Sequence, residues 1–218
     1  MSFMSTESRN EIVYNTLFDR LITGRMPAEA RLHEESLAEE FALSRTPIRD
    51  ILRRLEQDGL VRRERNRGAT VVPFTADDVE EVYDIRKALE LLAVDFAVGK
   101  VNLQSLRDLR ARVATLARRV DVAPHVELDQ AIHGAILAAC GRPRLAEALE
   151  RQLRLMRHFR YMGFKDAAVV ARTTREHDAL LAALLARDAE AAKAVMAAHL
   201  DEAKRQVLAN LCAPVPKS

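Results

Sequence analysis

Asp129 and His133 stand four residues apart in a segment whose companion positions are Ile132, Ile136 and Cys140. His177 falls in a stripe with Val170, Leu181 and Leu184, and His199 lines up with Ala192, Val195, Met196 and Ala203. Any one of these histidines, taken alone, reads as a hydrogen-bonded core residue. Four such polar groups on three inward helix faces are harder to place that way, because each costs desolvation energy unless paired. A single metal ion would satisfy them together, the i, i+4 pair converging on it and two further helices each supplying an imidazole. This donor set suits Zn²⁺, Ni²⁺, Fe²⁺ or Mn²⁺ and is too nitrogen-rich for Ca²⁺. A tetrahedral ion would close the site and make it structural, whereas an octahedral one would leave two positions for water or an effector carboxylate. Arg86 sits among Val82, Leu89 and Ala93, where an unpaired guanidinium would be costly. It can pair with Glu90 one turn on, or project into a cavity and bind an organic acid. His33, His125 and His158 lack such surroundings and read as surface or structural residues.

A second chemistry lies in Arg45, Arg49 and Arg53, which recur every fourth residue opposite the apolar stripe Ile48, Ile51, Leu52 and Leu55. A helix that buries one face and presents a row of guanidiniums suits the major groove of DNA. From Arg45 to Arg67 there are eight arginines against four acids, while residues 1–74 as a whole balance at twelve against twelve. Positive charge is therefore concentrated on this helix and the segment after it, with the acids on the preceding helix, away from the DNA face.

The elements that must position these groups are mostly helical. Residues 5–74 read as a winged helix-turn-helix. Ser8-Arg9-Asn10-Glu11 forms a capping-box pattern opening a helix with Val13, Leu17 and Leu21 inward, ended by Gly24 and Pro27. A short helix over Glu34–Phe41 buries Leu37, Ala38 and Phe41, and the arginine-bearing helix starts near Ser44, with Pro47 in its first turn and Gly59 at its end. Two strands, 60–64 and 68–72, flank a turn at Arg65-Asn66-Arg67-Gly68. Residues 75–212 read as an all-α antiparallel bundle with helices over 76–98, 103–120, 124–140, 144–163, 167–187 and 189–211, and a frayed tail from Ala213. A hydrophobic content of 49% with 5% aromatics, no Trp and few Gly and Pro fits such a helical core. The formal charge of +2 means that any nucleic-acid affinity must be local. Cys140 and Cys212 lie in apolar settings, and there is neither a signal-peptide pattern nor an apolar run long enough to span a bilayer. A soluble cytoplasmic protein with reduced thiols is expected.

Leu37-Ala38-Glu39-Glu40-Phe41, Ser44-Arg45-Thr46-Pro47-Ile48-Arg49-Asp50-Ile51-Leu52, Leu55-Glu56-Gln57-Asp58-Gly59-Leu60-Val61 and Asn66-Arg67-Gly68-Ala69 resemble the GntR family of bacterial transcription regulators. Arg86 through Glu90, Asp129-x-x-x-His133, Gly141-Arg142-Pro143-x-Leu145, Glu176-His177 and Met196-x-x-His199-Leu200 resemble its FadR-type C-terminal ligand-binding domain. Departures are mild: Ala28 and Ala42 stand where Gly is common, Asp50 where Glu is, and Arg142 where Asn is frequent. The resemblance implies base and phosphate contacts from Ser44, Arg45, Thr46 and Arg49, with Gly68 at the wing tip approaching the minor groove. It also implies that Asp129, His133, His177 and His199 are the one-Asp, three-His metal ligands of a metal-containing subgroup, with positions left open for an effector.

Within that frame, Arg45 and Arg49 are the base readers, since a guanidinium can donate two bonds to guanine and discriminate by about 1–3 kcal/mol. Ser44 and Thr46 hold phosphates, Arg67 contributes sequence-independent affinity, and Arg53 is either a phosphate clamp or solvated. The expected function is that of a homodimeric regulator, most often a repressor in this family. It would bind a pseudo-palindromic double-stranded operator and respond to a small organic acid held by the metal and Arg86. Two alternatives remain open at this point. One is the same regulator with a purely structural metal. The other is a metal-dependent hydrolase, against which stands the lack of any general base placed beside the ligands.

Overall fold

The computed structural model describes residues 6–22, 25–64, 68–72, 75–117, 119, 121–156 and 167–211. The chain divides into two compact units, Met1–Thr75 and Ala76–Ser218.

In the first unit, α1 (Thr6–Ile22) buries Val13, Leu17 and Leu21 together with Tyr14 and Phe18. The helix already includes Ser8, so the capping box expected at Ser8–Glu11 does not open it. No Gly or Pro interrupts Thr6–Arg9, and the helical run simply extends backwards past the local signal. Gly24 lies outside the described residues. A two-residue strand β1 (Arg31–Leu32) leads into α2 (Glu34–Glu40). Leu37 is buried on α2, but Ala38 and Phe41 are only half-buried, less than the sequence suggests. Ala42, just beyond the helix, adopts φ +47, and the Leu43 N–H reaches back to Ala38 O at 3.0 Å. This is the left-handed helix stop that glycine usually makes, here carried by alanine.

α3 (Arg45–Gln57) follows Ser44 and buries Ile48, Ile51, Leu52 and Leu55, so the arginine ridge is left on the surface. Gly59 at φ +77 ends it, with Leu60 N–H bonded to Leu55 O at 3.0 Å. Strands β2 (Val61–Glu64) and β3 (Gly68–Val71) pair antiparallel, Arg62 opposite Thr70. The sequence reading has two strands, whereas the sheet has three in the order β1-β3-β2. β1 is missed because two residues carry no periodicity, and its identity comes only from pairing Arg31 with Thr70 and Leu32 with Ala69. The turn at 65–67 lies outside the described residues.

Every regular element among the described residues of the second unit is a helix: α4 (Ala76–Ala97), α5 (Leu103–Leu116), α6 (Val122–Ala139), α7 (Pro143–Leu155), α8 (Ala167–Leu185) and α9 (Ala189–Leu211). Two expected boundaries shift. The helix expected over 103–120 stops at Leu116, and the one expected from 124 begins at Val122. Pro124 thus falls within the first turn of α6, where its missing N–H has no partner to lose. The second half of the helix expected over 144–163 lies outside the described residues. Asn102 caps α5 by accepting from Gln104 N at 2.8 Å and Ser105 N at 3.0 Å. α4 and α9 run antiparallel, as Asp84–Lys204, Lys87–Asp201 and Asp95–Lys193 ion pairs at 2.6, 2.6 and 2.9 Å demonstrate. Being exposed, such pairs set register more than they add stability. The core proper is apolar, built from Ala93, Leu106, Ile132, Ile136, Leu181, Leu184, Met196 and Leu200 of α4, α5, α6, α8 and α9. Cys140 is buried with a free thiol, and Cys212 lies outside the described residues.

Candidate functional site

Helical spacing turns Asp129 and His133 of α6, His177 of α8 and His199 of α9 toward the interior, and all four are buried. They meet. One donor atom from each lies within 4.8 Å of every other. The three Nε2 atoms gather around a single carboxylate oxygen, Asp129 Oδ1, at 3.4 Å (His133), 3.3 Å (His177) and 3.5 Å (His199). His133 Nε2 and His177 Nε2 are buried without a hydrogen-bond partner. Buried orphans of this kind cost about 1–3 kcal/mol each, so a fold that assembles them needs something to satisfy them. A divalent ion could do so with all four groups at once, and the nitrogen-rich donor set would fit Zn²⁺, Ni²⁺, Fe²⁺ or Mn²⁺.

The surroundings tune these groups in opposite directions. Burial pushes the His177 imidazole down to about 4, against the opposing pull of Asp129. Burial also opposes charge on His199, but the carboxylates of Asp129 and Glu176 outweigh it and raise that group to about 9. Glu90, on α4, is wholly enclosed. Burial works against its charge, yet Arg86 and His133 beside it hold the carboxyl down to about 2.

Arg86 is as buried as the sequence suggests and takes the nearer of its two alternatives: Nε donates to Glu90 Oε1 at 2.6 Å. One of its nitrogens, Nη2, has no hydrogen-bond partner. Two contacts escape the sequence reading. Glu90 Oε2 accepts from His133 Nδ1, and Glu176 Oε2 accepts from His199 Nδ1 at 2.9 Å. The only signal for the first is a glutamate inside an apolar stripe, and for the second the Glu176-His177 adjacency. His125 is buried and bonded to the Arg119 carbonyl at 2.9 Å, and His33 is exposed, in keeping with structural and surface roles. His158 lies outside the described residues.

In the other unit, Ser44, Arg45, Thr46, Arg49 and Arg53 are all exposed along one side of α3. Arg45 Nη1 lies 2.8 Å from Glu35, Arg49 Nε 2.7 Å from Glu34, and Arg53 3.1 Å from Asp50. The acids of the second helix are therefore not away from the ridge, as the charge count suggests. The first turn of α2 packs beside the start of α3 and brings Glu34 and Glu35 onto it. Arg54 is engaged elsewhere, over the Tyr14 ring at 4.0 Å and bonded to Glu11 at 2.9 Å. Gly68 opens β3 at φ +87, and a Cβ there would lie 2.2 Å from Leu32 O. Its lack of a side chain is thus demanded by β1 whatever else it touches. Arg67 lies outside the described residues.

No helix among the described residues is long and apolar enough to cross a membrane. Residues 9–71 match the family described as bacterial regulatory proteins, gntR family, and residues 81–202 match the FCD domain. The chain is 28% identical over 192 residues to the uncharacterized HTH-type transcriptional regulator YdhC of Bacillus subtilis (strain 168), covering 86% of both chains. It is 26% identical over 198 residues to the HTH-type transcriptional repressor GlaR of Escherichia coli (strain K12), covering 86% of this chain and 90% of that one. Among solved structures, E. coli McbR/YncC superposes with a TM-score of 0.69 at 26% identity, over 91% of this chain and 95% of the other.

Proposed function

This chain belongs to the GntR family of bacterial transcription regulators and carries an FCD domain, and from that premise we propose that it is a repressor controlled through a metal-bound organic acid. Residues 5–74 form the DNA-binding domain and residues 75–212 the effector-binding and dimerisation domain. Asp129, His133, His177 and His199 hold a divalent Zn, Ni, Fe or Mn ion, which when bound supplies Lewis acidity toward an anionic oxygen. Arg86, with a buried Nη2 lacking a partner, binds the same acid's carboxylate while its Nε stays on Glu90. The observation that carries this reading is the convergence of three Nε2 atoms on Asp129 Oδ1 beside that orphaned guanidinium nitrogen.

On the DNA side, Arg45 and Arg49 read bases, Ser44 and Thr46 grip phosphates, and Arg53, Arg67 and Gly68 complete the contact. Operator binding then requires Arg45 and Arg49 to exchange Glu34 and Glu35 for DNA. Homodimerisation places two such heads on a pseudo-palindrome. Exposed Ile85 and Leu92, seven residues apart on α4, supply apolar surface for a partner chain. A free, buried Cys140 suits the reducing cytoplasm.

The burial of all four donors favours one second reading, a closed tetrahedral metal with a purely structural role. A single experiment separates the two. Metal-loaded full-length protein on operator DNA is challenged with a panel of small mono- and dicarboxylic acids, while thermal shift and DNA release are recorded. An acid that binds the metal domain and weakens DNA binding by about 5–150-fold, corresponding to coupling of about 1–3 kcal/mol, supports effector control. Metal-dependent stability with no response to any acid supports the structural metal. Catalytic turnover of an acid or ester would overturn both.

A further inference from the structure

No ligand of the candidate metal centre comes from α4, yet α4 reaches it through a chain of carboxylate and arginine contacts. Glu90 Oε2 accepts from His133 Nδ1, and Glu90 Oε1 accepts from Arg86 Nε at 2.6 Å. On the other side, Glu176 Oε2 meets His199 Nδ1 at 2.9 Å, and Glu176 Oε1 lies 3.3 Å from Arg172 Nε. Arg172 in turn pairs with Glu202 of α9 at 2.6 Å. The two arrangements are alike at the imidazole and differ at the arginine. In each, a carboxylate from a neighbouring helix holds the outer nitrogen of an imidazole; an arginine is hydrogen-bonded to that carboxylate at Glu90 and lies beside it as an ion pair at Glu176.

A carboxylate with no proton of its own can only accept, so the ring nitrogen facing it must carry the hydrogen. In a neutral imidazole the other nitrogen then has the lone pair. In the neutral, ion-binding form each ring therefore presents the Nε2 lone pair toward Asp129 Oδ1, 3.4 Å from it for His133 and 3.5 Å for His199. An ion would have to displace the second proton that Asp129 and Glu176 favour on His199. Had Nδ1 faced a donor, it would have to accept and Nε2 would point its N–H at the metal position; left to solvent, either nitrogen could take the proton.

Resting on the metal-ligand reading above, we infer that Glu90 and Glu176 are positioning residues that fix the tautomer and ring orientation of His133 and His199 for metal binding. Glu90 acts from α4 on α6, and Glu176 acts from α8 on α9, so metal affinity reports on how these helices pack together. Arg86 holds the Glu90 carboxylate through a hydrogen bond, and Arg172 lies beside the Glu176 carboxylate as an ion pair. Arg86 accordingly has a role in building the centre that precedes any contact with an acid.

The test uses the full-length chain, stripped with a chelator and titrated with Co²⁺, whose visible d–d bands report ligand geometry. Wild-type protein takes up one ion per chain. Glu176→Ala, on a partly exposed residue, is expected to weaken Co²⁺ binding about 10–100-fold and alter the bands. Glu176→Gln, whose amide oxygen still accepts from Nδ1–H, recovers most of that loss. Glu90→Ala weakens binding in the same range, and if it does not fold, the Glu176 pair decides alone. Co²⁺ affinity within about twofold of wild type and unchanged bands in Glu176→Ala, even with a lower melting temperature, would overturn the positioning role. Wild-type protein that takes up no Co²⁺ would overturn the metal reading itself, a failure visible before any variant is made.

Discussion

Replacing Gly68 with alanine asks whether the start of β3 is shaped by packing or by DNA. A Cβ at this position would lie 2.2 Å from Leu32 O, 3.3 Å from Leu32 C and 3.6 Å from the His33 Cα. Carbon and carbonyl oxygen need more than about 3 Å, so the backbone of β1 or β3 must move by roughly 1 Å. The neighbour is main chain and cannot rotate away. In addition, φ is +87, a conformation that costs an L-residue about 1–2 kcal/mol. Displacing β1 also endangers the bonds Val71 N to Ala30 O at 2.9 Å and Glu29 N to Val71 O at 3.1 Å. Each of these is worth about 0.5–1.5 kcal/mol net. Against this, alanine stiffens the unfolded chain and returns about 0.4–1 kcal/mol. The balance is a loss of about 2–4 kcal/mol in the DNA-binding unit. At a factor of ten per 1.4 kcal/mol, hydrogen-exchange protection of the Val71 amide in the full-length chain should fall by about 30–700-fold. Protection within about threefold of wild type, with operator affinity lost, would refute the packing argument and leave Gly68 as a DNA contact alone. Ala42→Gly is the mirror case. Its φ of +47 is strained for alanine, so glycine should stabilise the unit by about 0.5–1 kcal/mol, read as a higher urea midpoint.

The other expectations concern the two sites and the acid limb of stability. His177→Ala should abolish metal uptake, measured by elemental analysis, and with it the roughly 2.7 kcal/mol of stabilisation expected at metal a hundredfold above Kd, while DNA binding persists. If the DNA-binding head unfolds as well, the two units are not separable. Arg49→Ala should flatten discrimination between operator and random DNA, whereas Arg67→Ala should weaken binding to both about equally; the reverse pattern in a titration would exchange their roles. Hydrogen bonds from Arg205, outweighing the effect of burial, hold the Glu202 carboxyl down to about 2, below its ordinary 4.5. A lowered carboxyl stabilises the fold above its unfolded value, and that contribution fades as pH falls from 4.5 toward 2. Glu202→Gln should therefore flatten the acid limb of a stability profile and leave its alkaline limb unchanged.

Much of the architecture is readable along the chain because amphipathic helices announce themselves by spacing. Ile48, Ile51, Leu52 and Leu55 recur on one face of α3, so burying them forces Arg45, Arg49 and Arg53 outward without any knowledge of neighbours. The same periodicity turns Asp129, His133, His177 and His199 inward on their helices. Stop signals are less secure. Gly59 ends α3 as its conformation demands, but Ser8 does not open α1, because a cap motif competes with an uninterrupted helical run. β1 carries no pattern at all, since a two-residue strand exists only through its partner.

Residue type and 3.6-residue periodicity thus establish which side chains face inward on each helix, because these depend on a residue's immediate neighbours in the chain. Which inward faces meet depends on how helices distant in sequence pack. That packing brings Glu90 of α4 to His133 and Glu176 of α8 to His199. It also sets Glu34 and Glu35 against the arginine ridge and puts Leu32 O where a side chain on Gly68 would otherwise stand. Contacts between groups tens of residues apart leave no periodic trace, so hydrogen-bonded partners emerge only when the helices and strands are assembled.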